Sequence, residues 1–195
     1  NSVALQNAIA NAPKPVVIYF PGGNYLFNSS INLPDSTILR GATSDSTNLL
    51  FDFSGAIGNG INISGTTGPA FTNVTSGAER FSNSVVVDDA SLFNVGDYAE
   101  IMQTNGTWDT QPVSWADNSI GQIVRISAIS SNTLTFDEVL RINYDYSLNP
   151  RIRKIIPKIQ VGLECLKIER LDDVAVGVCF NVNLSYAAQC WITGV

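Results

Sequence analysis

Six ionisable side chains crowd the ten positions from 164 to 173: Glu164, Lys167, Glu169, Arg170, Asp172 and Asp173. Lys167 and Glu169 flank Ile168, so a strand that turns Leu166 and Ile168 inward presents both of them to solvent. Carboxylates beside cationic groups on one exposed face can exchange protons with a bound molecule, which makes Lys167, Glu169, Arg170, Asp172 and Asp173 the catalytic candidates. A solvated strand surface carries the same residues, and that plainer reading stands beside the catalytic one. Asp88 and Asp89 precede a turn, where Asp caps backbone N–H groups; holding Ca²⁺ is the alternative. Trp108, Trp115, Tyr144 and Tyr146 are candidate substrate-binding residues, able to offer flat aromatic faces to a ligand or to pack into a core.

Composition narrows the chemistry. The 195 residues include no histidine, which removes Ser-His-Asp triads, Cys-His dyads and His-ligated zinc. Any catalysis here uses carboxylates, Arg, Lys or Tyr, or an oxygen-ligated metal, for which Ca²⁺ is the candidate; no other cofactor is evident and no metal ligand set is assigned. Eleven Lys and Arg face 17 Asp and Glu, for a net charge of -6, so phosphate backbones find no basic surface and a nucleic-acid partner is not expected. The short run Arg151-Ile152-Arg153-Lys154, with Lys158, reads as a local patch. No stretch approaches the roughly 20 apolar residues of a membrane helix. Cys165, Cys179 and Cys190 are odd in number and lack CxxC spacing, which favours small buried apolar side chains, with a Cys165–Cys190 bridge as the alternative. No leader is visible, so secretion is inferred from the acidic, polar composition and the fold.

These side chains must be positioned mostly by strands. Charged residues are only 14% of the chain, and Asn, Ser, Thr and Gly are abundant, the profile of an all-β protein with many turns. Residues 2–12 read as a short amphipathic helix, N-capped by Ser2 and stopped by Pro13 and Pro15. Short apolar strands follow, from Val16–Phe20 to Gly60–Ser64, with apolar positions recurring about every 20 residues, as in a solenoid. From Ser84 the strands lengthen and alternate in polarity, with a hairpin turn at Ser130–Asn132, and this antiparallel pattern ends near Tyr146. The long loop from Thr104 to Ile120 holds both Trp108 and Trp115. After Pro150 short strands return, including one over Val176–Phe180, and the chain stops in mid-pattern. An open last coil exposes apolar edges, so the expectation is that more chain follows, or that another copy covers this end in a homo-oligomer.

The segment Val16-Val-Ile-Tyr-Phe-Pro-Gly-Gly-Asn-Tyr25, then Ile31-Asn-Leu-Pro34 and Thr37-Ile-Leu-Arg-Gly-Ala42, with the helix before it, resembles the opening of pectate-lyase-superfamily proteins. That superfamily includes polysaccharide lyases, polygalacturonase-like hydrolases and phage tailspikes. Val161-Gly-Leu-Glu-Cys-Leu-Lys-Ile168 resembles one of its later coils, with Cys165 where an inward-stacking Asn is common. The resemblance implies an all-β, right-handed parallel β-helix with an N-terminal capping helix. Residues 1–83 would form the cap and first coils, 84–146 an inserted antiparallel β-module, and 147–195 resumed coils. It makes Arg40, before Gly41, a structural residue. It also implies a secreted or cell-surface protein whose partner is a polysaccharide. The chain would be the N-terminal part of a polysaccharide lyase or glycoside hydrolase, or alternatively a non-catalytic glycan-binding adhesin, tailspike-like fibre or assembly component. Lyases of this superfamily use Ca²⁺ with an Arg or Lys base, and its hydrolases use paired carboxylates.

Overall fold

The computed structural model describes residues 1–172, 177 and 179–195 and divides into two compact units, Asn1–Gly65 with Pro157–Val195, and Thr66–Ile156. The strand expected over Val176–Phe180 falls largely outside the described residues, and so does Asp173.

The first unit opens with α1 (Ser2–Asn11), which buries Ser2, Leu5 and Ile9. Its N-cap is Asn1 rather than Ser2. The Ser2 hydroxyl instead accepts from the backbone N–H groups of Asn28 and Ser29, tying the helix to a coil turn. Six short strands follow: β1 (Val16–Phe20), β2 (Gly23–Phe27), β3 (Ile31–Asn32), β4 (Thr37–Gly41), β5 (Thr47–Phe51) and β6 (Ile61–Ser64). The second unit holds β7 (Thr66–Ser76), β8 (Ser84–Val87), β9 (Tyr98–Gln103), β10 (Ile120–Ser130), β11 (Thr133–Phe136) and β12 (Arg151–Ile156). The chain then returns to the first unit as β13 (Lys158–Ile159), β14 (Gly162–Glu164), β15 (Lys167–Arg170), β16 (Val182–Ser185), β17 (Ala187–Ala188) and β18 (Trp191–Thr193).

In the first unit every strand pair is parallel, and strands stack in the orders β1-β4-β14-β18, β2-β5-β15, β3-β6-β16 and β13-β17. This is a parallel β-helix, with the right-handed crossovers that parallel pairs adopt. Like residues stack coil on coil: Ile18 pairs with Leu39 and Leu39 with Leu163, while Phe27 pairs with Phe51 at a ring separation of 5.2 Å. Each such fully buried Leu or Phe contributes about 1.5–3 kcal/mol. The first sheet pairs residues 21 apart, the second 24 and the third 30. A period near 20 therefore holds only for the first, because the loops between strands lengthen along the coil.

Corners are made by residues in left-handed conformation, among them Ser36, Gln160 and Gln189 at one corner and Cys165 and Gly194 at another. Cys165 is thus exposed at a turn, and all three cysteines are free thiols. This corrects the buried reading of Cys165 and leaves no Cys165–Cys190 bridge, since the Cys190 thiol turns instead to the carbonyls of Lys158 and Ala188. Asparagine ladders run through half-exposed or exposed positions: Asn48 donates to Asn24, and Asn183 donates to Asn62, which donates to Asn32.

The second unit is a closed six-stranded barrel of order β10-β11-β8-β7-β12-β9, all antiparallel, around a core that includes Val85, Ala99, Ile101, Ile126, Leu134 and Ile152. Its first and last strands pair from Thr66↔Ile156 to Asn73↔Arg151, so the chain enters and leaves through neighbouring strands. Alternating polarity over 84–146 marks β8 to β11, whereas β7 and β12 lie outside that span. β7 carries Gly68 and Pro69, and β12 carries the basic run, so neither has a strand-like polarity pattern.

Candidate functional site

The outward face of the sheet β1-β4-β14-β18 brings together side chains from four coil positions. Leu39 and Leu163 are fully buried, so alternation turns their neighbours outward. One outer row is Tyr19, Arg40, Glu164 and Thr193; the next is Val17, Ile38, Gly162 and Trp191. Glu164 is the hub. Arg40 Nε donates to Glu164 Oε2 at 2.5 Å, and Trp191 Nε1 donates to Glu164 Oε1 at 2.8 Å. The indole lies over Gly162, where an added Cβ would come within 2.4 Å of Trp191 Cε2, so only glycine leaves room for the ring.

The hydrogen bond from Arg40, and then that from Trp191, hold the Glu164 carboxyl below its ordinary range. The same bond raises the Arg40 guanidinium. Glu164 is therefore a fixed anion, suited to accept hydrogen bonds from hydroxyl groups and unsuited to donate a proton. Tyr19 is exposed, and Trp191 retains 37% exposure, so aromatic surface lies beside a planar guanidinium and a carboxylate on one flat wall. That combination grips the C–H faces and hydroxyls of sugars.

The six-residue acidic and basic cluster is split by the coil. Glu164 belongs to the wall just described. Lys167 and Glu169 point outward on β15 and pair with each other at 2.7 Å. Arg170 and Asp172 turn to the loop after β5. Arg170 donates to the carbonyls of Gly58 and Ala56, each at 2.7 Å, and lies over the Phe53 ring at 4.0 Å. Asp172 binds Arg170 and accepts from the Gly55 N–H at 2.6 Å, and its pKa is held far below normal, chiefly by Arg170. This pair fastens a loop.

Asp89 accepts from the Ser91 N–H and hydroxyl, which lower its pKa, and Asp88 accepts from Asn73. Among the described residues no three Cys, Asp or Glu converge, and no step is routed through a metal.

The four candidate aromatics do not form one platform. Tyr144 is 3% exposed within the barrel core, where it has no face to offer a ligand. The Tyr146 hydroxyl accepts from the Ala78 N–H. Trp108 and Trp115 do stand out from the β9–β10 loop, Trp115 with 88% exposure. Sequence reasoning missed Tyr19 and Trp191, and read Arg40 as merely structural. The available signal was polarity: Trp191 precedes a strand position paired with inward Leu163 and so faces out.

Residues 1–134 match the family model described as rhamnogalacturonase A/epimerase, pectate lyase-like. No curated protein sequence matches the chain. Among solved structures, the gp61 tailspike of Pseudomonas phage phi297 superposes over 99% of the chain at 16% identity, with a TM-score of 0.72. The gp54 tailspike of Acinetobacter baumannii bacteriophage AP22, solved in complex with A. baumannii capsular saccharide, superposes over 95% at 23% identity (TM-score 0.67). The gp49 tailspike of Pseudomonas phage LKA1 superposes over 83% at 20% identity (TM-score 0.62). The chain spans 30%, 28% and 27% of those three proteins respectively, and the likeness is one of fold.

Proposed function

Because the chain belongs to the rhamnogalacturonase A/epimerase, pectate lyase-like family, we propose that it is the N-terminal part of an extracellular, polysaccharide-acting β-helix protein. In this reading the wall Tyr19–Arg40–Glu164–Trp191 holds the glycan. The observation that carries it is the Glu164 hub: one carboxylate orients both an indole and a guanidinium on an exposed outer sheet. A hydrogen-bond network of this kind, built on strands, is preorganised for a planar ligand and loses little entropy on binding. The tailspike solved with capsular saccharide shares the fold and supports a glycan as the ligand.

Recognition is the role these residues can take, since Glu164 stays ionised. Cleavage, by elimination or by hydrolysis, would need a proton donor elsewhere on the complete protein.

The test is titration of the chain with capsular and uronate oligosaccharides, with Trp191→Ala alongside. Affinity should fall about tenfold or more on loss of the ring. Unchanged affinity in a folded Trp191→Ala variant would remove the wall from the reading. Assays of the complete protein for unsaturated-product absorbance and for new reducing ends separate lyase, hydrolase and pure binder.

A further inference from the structure

The barrel unit has a groove of its own. A cavity of about 230 Å³ is lined by Glu100, Asn118, Ser119 and the β10 residues Gly121–Ile123. A second, of about 510 Å³, shares Gly121, Gln122 and Ile123 and continues to Arg141 and Ile142. The two cavities adjoin along the start of β10, a linear arrangement that suits a chain molecule.

The walls are held in place from within the unit. The Asn105 side-chain oxygen accepts from both the N–H and the hydroxyl of Ser119, at 3.1 and 3.0 Å. Gln122 accepts from the Arg141 N–H at 2.9 Å and donates to the Val139 carbonyl at 3.0 Å, which fixes where Arg141 starts. Arg151 stacks on Phe71 at 5.0 Å and donates to Asn118 Oδ1 at 2.6 Å, so a guanidinium stands behind the opposite end. On the floor, Ile123 is 52% exposed.

Charge identifies the occupant. Glu100 is neutralised by Arg153 at 2.8 Å. Among the described residues, neither Arg141 nor Arg151 has a carboxylate within ion-pair distance. In a chain of net charge -6, the Arg141 guanidinium lining one end of the groove, with Arg151 behind Asn118 at the other, calls for an anion. Guanidinium binds carboxylates through paired parallel N–H donors. The amide groups and hydroxyl between them suit sugar hydroxyls, and the exposed Ile123 suits a ring face.

We infer that the barrel unit carries a second saccharide site, a groove along Asn118–Ile123 and Arg141 that takes a short stretch of carboxylated polysaccharide. It is separate from the outer wall of the β-helix and stands or falls independently of it.

The probes are a short oligogalacturonate, a short oligomannuronate and the methyl-esterified, uncharged form of the first, titrated into the isotopically labelled chain. With either acidic probe, the amide signals of residues 118–123, 141 and 142 should shift, both in the native chain and in Trp191→Ala. Arg141→Ala with Arg151→Ala should weaken that shift at least about tenfold, as should esterification. Ile123→Glu, on an exposed position that leaves the core alone, should abolish it. Groove signals unmoved by both acidic probes, or moved equally in Ile123→Glu, would overturn the groove. Groove shifts that persist while Trp191→Ala changes nothing else would instead sink only the β-helix wall.

Discussion

Trp191 and Gly162 are adjacent across β18 and β14, and the indole of the first occupies the space a side chain on the second would need. The ring is thereby laid flat and its Nε1 aimed at Glu164. Gly162→Ala should lift the indole, break that hydrogen bond and lower stability by about 1–3 kcal/mol, as overpacking does. Glycan affinity should fall with it. Near-UV circular dichroism and a denaturant midpoint report the first effect, and calorimetric titration the second. Trp191→Phe, which keeps a ring but no donor, should retain part of the affinity.

The wall also has a pH dependence of known sign. Arg40, and then Trp191, depress the Glu164 pKa below its ordinary value of 4.5. A carboxyl with a lower pKa folded than unfolded stabilises the fold fully above the unfolded value and loses that contribution as pH falls through the folded one. The stability difference between the native chain and Glu164→Gln should therefore be flat above about pH 6 and shrink on acidification below about pH 4. A difference that grows toward acid would contradict the ion pair.

At Gly41 the constraint is backbone against backbone. An added Cβ would meet the Cys165 carbonyl at 2.2 Å and Thr47 Cβ at 2.9 Å. Neither neighbour is a flexible side-chain end, so Gly41→Ala should cost about 3 kcal/mol or more. The denaturant midpoint should drop accordingly, or the soluble yield should collapse.

Gly41 also marks how far a reading along the chain can reach. Arg40-Gly41 is visible as a motif, and its glycine already points to a bend after Arg40. The same holds for α1 and for the hairpin at Ser130–Asn132, where Ser130 pairs with Thr133. The candidate wall was not legible, because it depends on register. Glu164 meets Arg40 across 124 positions, through coils whose loops lengthen and around an inserted unit. Reading along the chain grouped Glu164 with Arg170 and Asp172 instead. A left-handed corner at Cys165 sends the two parts to different sheets, and no local pattern announces a corner made by cysteine.

Arg170 offers a direct check on that separation. It ties the Ala56 and Gly58 carbonyls, Asp172 and the Phe53 ring into one loop. Arg170→Ala should lower the thermal midpoint while leaving glycan affinity within about twofold, because the loss falls on packing against Phe53 and on the loop carbonyls it ties together. An affinity that vanished in a folded variant would restore Arg170 to the site.

Tyr144 is the one buried side-chain polar atom without a hydrogen-bond partner among the described residues. Desolvation pushes its pKa from 10.0 up to about 12. In the unfolded chain the phenol ionises near its ordinary value, so the native state gives up stability as pH rises above 10 and continues to do so until about 12. A buried, unpaired hydroxyl also costs free energy at neutral pH, of order 1–3 kcal/mol if no partner is found. Tyr144→Phe keeps the ring that packs in the barrel and removes only the oxygen. It should match or exceed the native chain in denaturant stability at neutral pH, and the alkaline loss assigned to this phenol should vanish. Ultraviolet titration should show one fewer tyrosinate forming at the high end. A clear destabilisation by Tyr144→Phe at neutral pH would mean that the hydroxyl has a partner after all.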